Sequence, residues 1–227
     1  MQTLEELFEA KVRLAETPAE AHPDLKHHIS DGWVRHRLIS KPFVNPGYFG
    51  LINEEYETTL KRLAKAEADH DWEEWVFTHE RPWRLDAFVE IASRLDDKTY
   101  WSLLREVFTD CENAWQFERT RDLFENRQSG RAEHIMNDAE RKALADLPGV
   151  IQIYRGYRGP DWQGWSWTLD RERADWFARR PTRDGQPKIA VAQTRQADVI
   201  ALLNGRNERE IVVDPHDVTN CRVERLA

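Results

Sequence analysis

The sequence predicts an α+β protein, with a helical N-terminal part over residues 1–147 followed by a β-rich part over residues 148–227. Two observations predict this division. Up to residue 147 the apolar residues recur three and four apart in most windows, the period of an amphipathic helix. After Pro148-Gly149 the period changes to short runs rich in β-branched and aromatic residues, bounded by Gly and Pro, which is the pattern of strands. A chain of 227 residues suits one large or two small domains and buries most of its unfolded surface without a disulfide or metal staple.

In order along the chain, Leu4, Leu7, Phe8, Val12 and Leu14 give an amphipathic first helix, which Pro18 and Pro23 bring to an end. Between Gly32 and Gly50 the pattern is irregular, with Pro42 and Pro46-Gly47 marking turns. A helix resumes at Glu54, with Tyr56, Leu60, Leu63 and Ala64 on one face. Further helical patterns cover 72–79, 83–95, 98–109, 112–126 and 138–146. Asp97 is placed to cap the helix over 98–109, and Asn137 with Glu140 to make a capping box before the last. Beyond the break, strands are expected over 150–157, 164–169, 188–194, 197–202, 208–213 and 221–226. A short helix over 170–180 has Asp170 as its N-cap. Pro181, Gly185, Pro187, Gly205 and Pro215 punctuate these runs, and no internal repeat is present.

The formal net charge is −8, from 33 Lys and Arg against 41 Asp and Glu, which by itself argues against a general polyanion binder. The sum hides a split. Residues 148–227 hold 13 bases against 11 acids, a local +2, so the first 147 residues hold 20 against 30, a local −10. Twelve of the 13 C-terminal bases are Arg, which favours planar, bidentate contact with phosphate or carboxylate. Nucleic acid therefore stays open as a partner. Two cysteines, Cys111 and Cys221, do not make a disulfide framework, and only Cys221 has a nearby His, His216. A reducing cytosol and no structural zinc are expected. The N-terminus lacks the layout of a signal peptide, and no apolar run approaches the roughly 18 residues of a membrane span. The histidines at 27, 28, 36, 70, 79 and 134 have no metal-ligand spacing and read as surface or packing residues. Trp72, Trp75 and Trp83 read as helical core, with a second use as a docking surface for a partner.

Three stretches of the β-rich part combine unusual residue choices. In Tyr154-Arg155-Gly156-Tyr157 an Arg stands inside a buried-looking strand and needs an anion or a structural partner, while Gly156 admits a close approach to the backbone. In Gly164-Trp165-Ser166-Trp167-Thr168 the alternation of an extended strand puts Ser166 and Thr168 on one side and the indoles on the other. In Asn207-Glu208-Arg209-Glu210-Ile211 the two carboxylates share a face at the start of a strand, where one pKa is open to being raised. Taken singly, each has an ordinary structural explanation: a buried ion pair, a two-faced strand, a solvated strand end.

Together, and in this order within about 60 residues, Arg155, Ser166-x-Thr168 and Glu208-x-Glu210 resemble the mono-ADP-ribosyltransferases of the Arg-Ser-Glu class. The resemblance covers residues 150–215, including a short helix around Ala174, Trp176, Phe177 and Ala178. It departs from many members in reading Ser-Trp-Thr for Ser-Thr-Ser. It implies a mixed or antiparallel split β-sheet and NAD as co-substrate, with no metal. As catalytic residues it implies Glu210, Glu208, Arg155 and Ser166, and as NAD-binding residues Arg155, Gly156, Ser166, Thr168, Phe177 and Glu210. Arg155 would clamp the phosphates or the nicotinamide ribose, and Gly156 would offer its backbone to the carboxamide. Ser166 would hold the ribose or order Glu210, and Thr168 would support the strand. Glu210 would stabilise the cation formed as nicotinamide leaves, as a carboxylate does in glycoside hydrolysis, and Glu208 would orient or deprotonate the acceptor. The implied acceptor is protein arginine by preference, or nucleic acid. A toxin, defence or phage-modifier role is implied, in the cytoplasm of a bacterial or infected host cell, with an antitoxin or host protein docking on the helical region. The alternatives are an NAD glycohydrolase of the same fold and a catalytically inactive interaction module.

Overall fold

The structure, a computed structural model, describes residues 19–43, 46–110, 117–125, 129–160, 162–180, 185–205 and 209–226. It is mixed α+β with antiparallel sheets. By their contacts the residues divide into two units, Met1–Arg94 with Thr109–Glu112, and Leu95–Phe108 with Asn113–Ala227. The helix expected over 4–14 and the cysteine at 111 lie outside the described residues.

The first unit corrects the expectation of helices joined by loops, with an irregular stretch after Gly32. Strands β1 (Ile29–Ser30), β2 (Trp33–His36) and β3 (Ile39–Pro42) form a three-stranded antiparallel sheet. Its first turn is Asp31-Gly32, with φ of 51° and 73° between the paired Ser30 and Trp33. Two successive positive φ values fit the tight two-residue hairpin turn, and Asp-Gly is a preferred sequence for it. Val34 and Ile39 point inward onto Leu25 and onto Phe49, Ile52 and Tyr56 of helix α1 (Phe49–Ala68). That helix begins five residues before Glu54. Leu60 and Leu63 pack on the core as expected, but Ala64 is exposed and Ala66 is the buried alanine. Helices α2 (Trp72–Phe77) and α3 (Arg84–Ile91) follow, α2 capped by Asp71, whose side chain accepts from Glu74 N. Of the three tryptophans only Trp75 is core. Trp72 is half-buried beneath the Arg94 guanidinium, 4.3 Å from its ring, and Trp83 is exposed.

Helix α4 (Asp97–Asp110) leads into the second unit, its last two residues grouping with the first. Its cap is Asp96, whose carboxylate accepts from Thr99 N at 2.8 Å, and Asp97 is the first helical residue. Helices α5 (Phe117–Glu125), α6 (Arg131–His134) and α7 (Asp138–Ala145) follow, and α7 opens with the expected Asn137/Glu140 capping box. The change of period at Pro148-Gly149 marks the start of the large sheet. Its strands are β4 (Val150–Tyr157), β5 (Ser166–Thr168), β6 (Lys188–Arg195), β7 (Val199–Leu203), β8 (Glu210–Val213) and β9 (Thr219–Arg225), with helix α8 (Arg171–Arg179) between β5 and β6. Every strand and helix read from residues 150–226 is present, with ends moved by a few residues. Among the described residues no helix is long and apolar enough to cross a membrane.

The sheet runs β7-β8-β5-β4-β6-β9, antiparallel throughout. Pairing of β4 with β6 is continuous from Val150↔Arg195 to Tyr157↔Lys188, whereas β4 meets β5 at the single pair Tyr154↔Thr168. The sheet is thus two three-stranded halves joined at one rung. Helix α8 lies on β4 so closely that a Cβ at Gly156 would stand 1.8 Å from Ala174 O and 2.7 Å from Ala178 N. On the β5 side, the fully buried Trp165 stacks on Phe124 of α5, with ring centroids 5.7 Å apart.

Candidate active site

The rung that joins the two half-sheets brings three of the expected residues together. Thr168 is the Cα partner of both Tyr154 on β4 and Glu210 on β8, and Arg155 is the next residue beyond the rung. Past it the strands part. There Arg155 Nη1 donates to Ser166 O at 2.5 Å and bridges the gap. Ser166 and Glu210 lie on one face, two register positions apart, and Ser166 Oγ donates to Glu210 Oε1. Glu210 is buried, whereas Ser166 and Arg155 are half-buried.

The surroundings fix these groups. Trp167 is almost fully buried, its ring edge-on to Trp162 and its Nε1 donating to Gly164 O at 2.8 Å. Together with Trp165 it backs β5 with a dry wall, and charges and hydrogen bonds act more strongly beside such a surface than in water. The Thr168 hydroxyl accepts from Asp170 N at 3.0 Å, and the Asp170 carboxylate accepts from Glu172 N and Arg173 N, so one corner sets both the end of β5 and the start of α8. Arg209, just before Glu210, has a φ of +44°, a conformation that costs a non-glycine residue about 1–2 kcal/mol. Its carbonyl accepts from Leu169 N. At the far end of β8, Asp214 accepts from Arg121 Nε at 3.1 Å and Nη2 at 3.2 Å. Burial raises the Asp214 carboxyl, but the hydrogen bonds from Arg121 and His216 outweigh it and hold it below the usual range.

The expected residues fare differently. Phe177 lies half-buried on α8, its ring against that of Trp176. Gly156 is a glycine because α8 occupies the space a Cβ would take, so its missing side chain argues for helix packing and gives no independent sign of a ligand. Glu208 lies outside the described residues.

Two further residues serve the site, and sequence patterns did not single them out. A Cβ at Gly164 would stand 2.5 Å from Arg155 Cζ and 2.6 Å from Nη2, so the guanidinium occupies the space a side chain would need. The second is Glu140, read only as half of a capping box. It is 3% exposed and accepts from Arg105 Nη1 at 2.7 Å, Arg105 Nη2 at 2.8 Å, Asn137 N at 3.0 Å and Asn204 N at 2.8 Å. Asn204 begins the connection from β7 to Glu210, and Glu140 anchors that first residue. Burial pushes the Cys221 thiol up, away from the reactive thiolate.

A guanidinium held at the mouth of a split sheet is a fork for phosphate, and a buried carboxylate steadied by a hydroxyl can face a developing cation. No protein-family model, no curated protein and no solved structure matches the chain.

Proposed function

We propose that the second unit is a mono-ADP-ribosyltransferase, which moves ADP-ribose from NAD to a macromolecular acceptor and releases nicotinamide. One observation carries the reading. The Ser166 hydroxyl donates to the buried Glu210 carboxylate at the rung where the half-sheets join, with Arg155 bridging the same gap. In this reading the sheet joined at one rung is the split sheet of that family.

Each group then has a task. Arg155 holds the phosphates through its fork. Ser166 fixes the rotamer of Glu210, so that the carboxylate faces the ribose and stabilises positive charge as the N-glycosidic bond breaks and its electron pair leaves on nicotinamide. The acceptor bonds to ribose C1′, and its proton passes to Glu208. Protein arginine is the preferred acceptor, nucleic acid the second, and the setting is cytoplasmic.

The test is nicotinamide release from NAD by the full chain and by Glu210→Gln, which is nearly isosteric. The variant is expected to keep the fold and lose release. Wild-type-like release from it sinks the assignment. Release without transfer of label to any macromolecule makes the protein a glycohydrolase, and a folded wild type with no release leaves an interaction module.

A further inference from the structure

The outer face of α8 carries a group that the proposed chemistry does not use. Ala174 and Ala178, one turn apart and fully buried, fix the inward face of the helix. Trp176 lies midway between them, about 200° around the helix from Ala174, and therefore faces outward. It is 50% exposed. Two guanidiniums lie over its ring, with Arg173 Cζ at 5.3 Å and Arg180 Cζ at 5.1 Å from the centroid, within the reach of a cation–π contact. The Phe177 ring stands edge-on to it, and Arg180 also reaches that ring.

The charge around this indole has one sign in excess. Residues 171–180 hold four arginines against two acids, Glu172 and Asp175; Arg171 pairs with Glu224 and Arg179 with Asp175, and Arg173 and Arg180 are the two at the indole. At the C-terminal end of α8, Arg158 donates to Ala178 O at 2.8 Å, and Lys188 Nζ donates to Gly159 O at 2.8 Å. Arg158 is thus one more cation fixed at that helix end, on a chain whose net charge is −8.

An exposed indole ringed by guanidiniums matches a partner that has both flat π-faces and a regular negative charge. Single-stranded nucleic acid has both, with bases that stack on aromatic and Arg planes and phosphates that pair with cations. An acidic peptide would satisfy the arginines but bring no flat group to stack on the indole and guanidinium planes, and in a duplex the base faces are hidden in their own stack. We propose that the outer face of α8 binds single-stranded nucleic acid, a base stacking on Trp176 and neighbouring phosphates pairing with Arg173 and Arg180. This goes beyond the enzymatic reading and stands whether or not NAD is cleaved.

The test is fluorescence anisotropy of a short labelled oligothymidylate with the full chain at several salt concentrations. Binding is expected, with Trp176→Ala weakening it about tenfold or more and Trp176→Phe keeping most of it. Replacing Arg173 and Arg180 together by Ala should reduce the salt slope by about 1.4, from two lost phosphate contacts at roughly 0.7 each. Circular dichroism checks the fold, and the arginine variant serves if Trp176→Ala unfolds. No binding, unchanged binding by a folded Trp176→Ala variant, preference for duplex, or equal competition by polyglutamate each overturns the proposal. Nicotinamide release from the same preparations separates the two readings. Binding without release defeats only the enzyme, and release without binding defeats only the α8 surface.

Discussion

Ser166 and Glu210 lie on neighbouring antiparallel strands, two register positions apart, and the Ser166 hydroxyl donates to Glu210 Oε1 along that diagonal. Diagonal neighbours on one face of a sheet are within side-chain reach, so the contact follows from register alone. In the proposed enzyme it makes Ser166 the positioning residue of the carboxylate. A hydrogen bond to a charged group contributes about 1.5–3 kcal/mol. Ser166→Ala is therefore expected to lower kcat for nicotinamide release by about ten- to a hundredfold, with KM for NAD little changed. A rise in KM with kcat intact would move Ser166 from positioning Glu210 to holding the substrate.

Gly156 and Gly164 flank the same site and should respond in opposite ways to an added methyl group. At residue 156 the methyl meets the backbone of α8, which cannot give way without leaving the sheet. Gly156→Ala is expected to destabilise by more than the roughly 1–3 kcal/mol typical of overpacking, with a sharp fall in Tm. At residue 164 the methyl meets the far end of Arg155, which can swing aside. Gly164→Ala should keep most of its thermal stability while raising KM for NAD about tenfold, because Arg155 loses its seat. Parallel melting and steady-state kinetics check the pair, and equal loss of stability in both would show that Arg155 is not the group displaced.

The difference between these glycines also marks what was legible in the sequence. The strands of the large sheet announce themselves through β-branched runs between Gly and Pro, and Asn137 with Glu140 announces a helix start, because those signals are local. Asp31-Gly32 was equally local, but its strands are too short to show alternation, and the hairpin passed as an irregular stretch. Ala64 and Ala66 exchanged places because alanine weakly marks a helix face. The role of Gly164 depends on a guanidinium nine residues earlier, reaching across a ladder that opens after one rung. That of Glu140 depends on an amide 64 residues away, and no local window of sequence contains that pairing. The order Arg155, Ser166, Glu210 was legible, whereas the single rung that brings them together was not.

Glu140 offers a test of the loop's anchor. Its carboxylate accepts from Arg105, Asn137 and Asn204, with side-chain exposures of 4% for Glu140 and 17% for Arg105. Removing one partner of a buried pair costs about 3–5 kcal/mol, and because Arg105 keeps Glu106 at 3.6 Å the low end of that range applies. Glu140→Ala is expected to fall in that range by denaturant unfolding. A double-mutant cycle with Arg105→Met should recover part of the loss, and full additivity would show that the pair does not act as a unit.

His79 gives the first unit a pH dependence whose sign can be worked out. The ring is 2% exposed. Its Nδ1 donates to Trp75 O at 2.9 Å, and its Nε2 accepts from Arg37 Nη2 at 3.0 Å, while Arg37 also donates to Glu90. Since a carbonyl can only accept and a guanidinium can only donate, the neutral ring with its proton on Nδ1 is the form that fits. Burial lowers the His79 pKa first. The bond to Trp75 opposes the shift, and the Arg37 charge adds to it. His36 shifts the same way, through burial and then the neighbouring His28. Below about pH 6.5 the unfolded chain binds protons at these residues that the folded chain resists, so this stabilisation is complete above that pH and declines as the pH falls beneath it. Tm should drop between about pH 7 and pH 5.5. His79→Gln should flatten the slope, and adding His36→Gln should flatten it further. A wild-type slope retained in the double variant would place the acid sensitivity elsewhere.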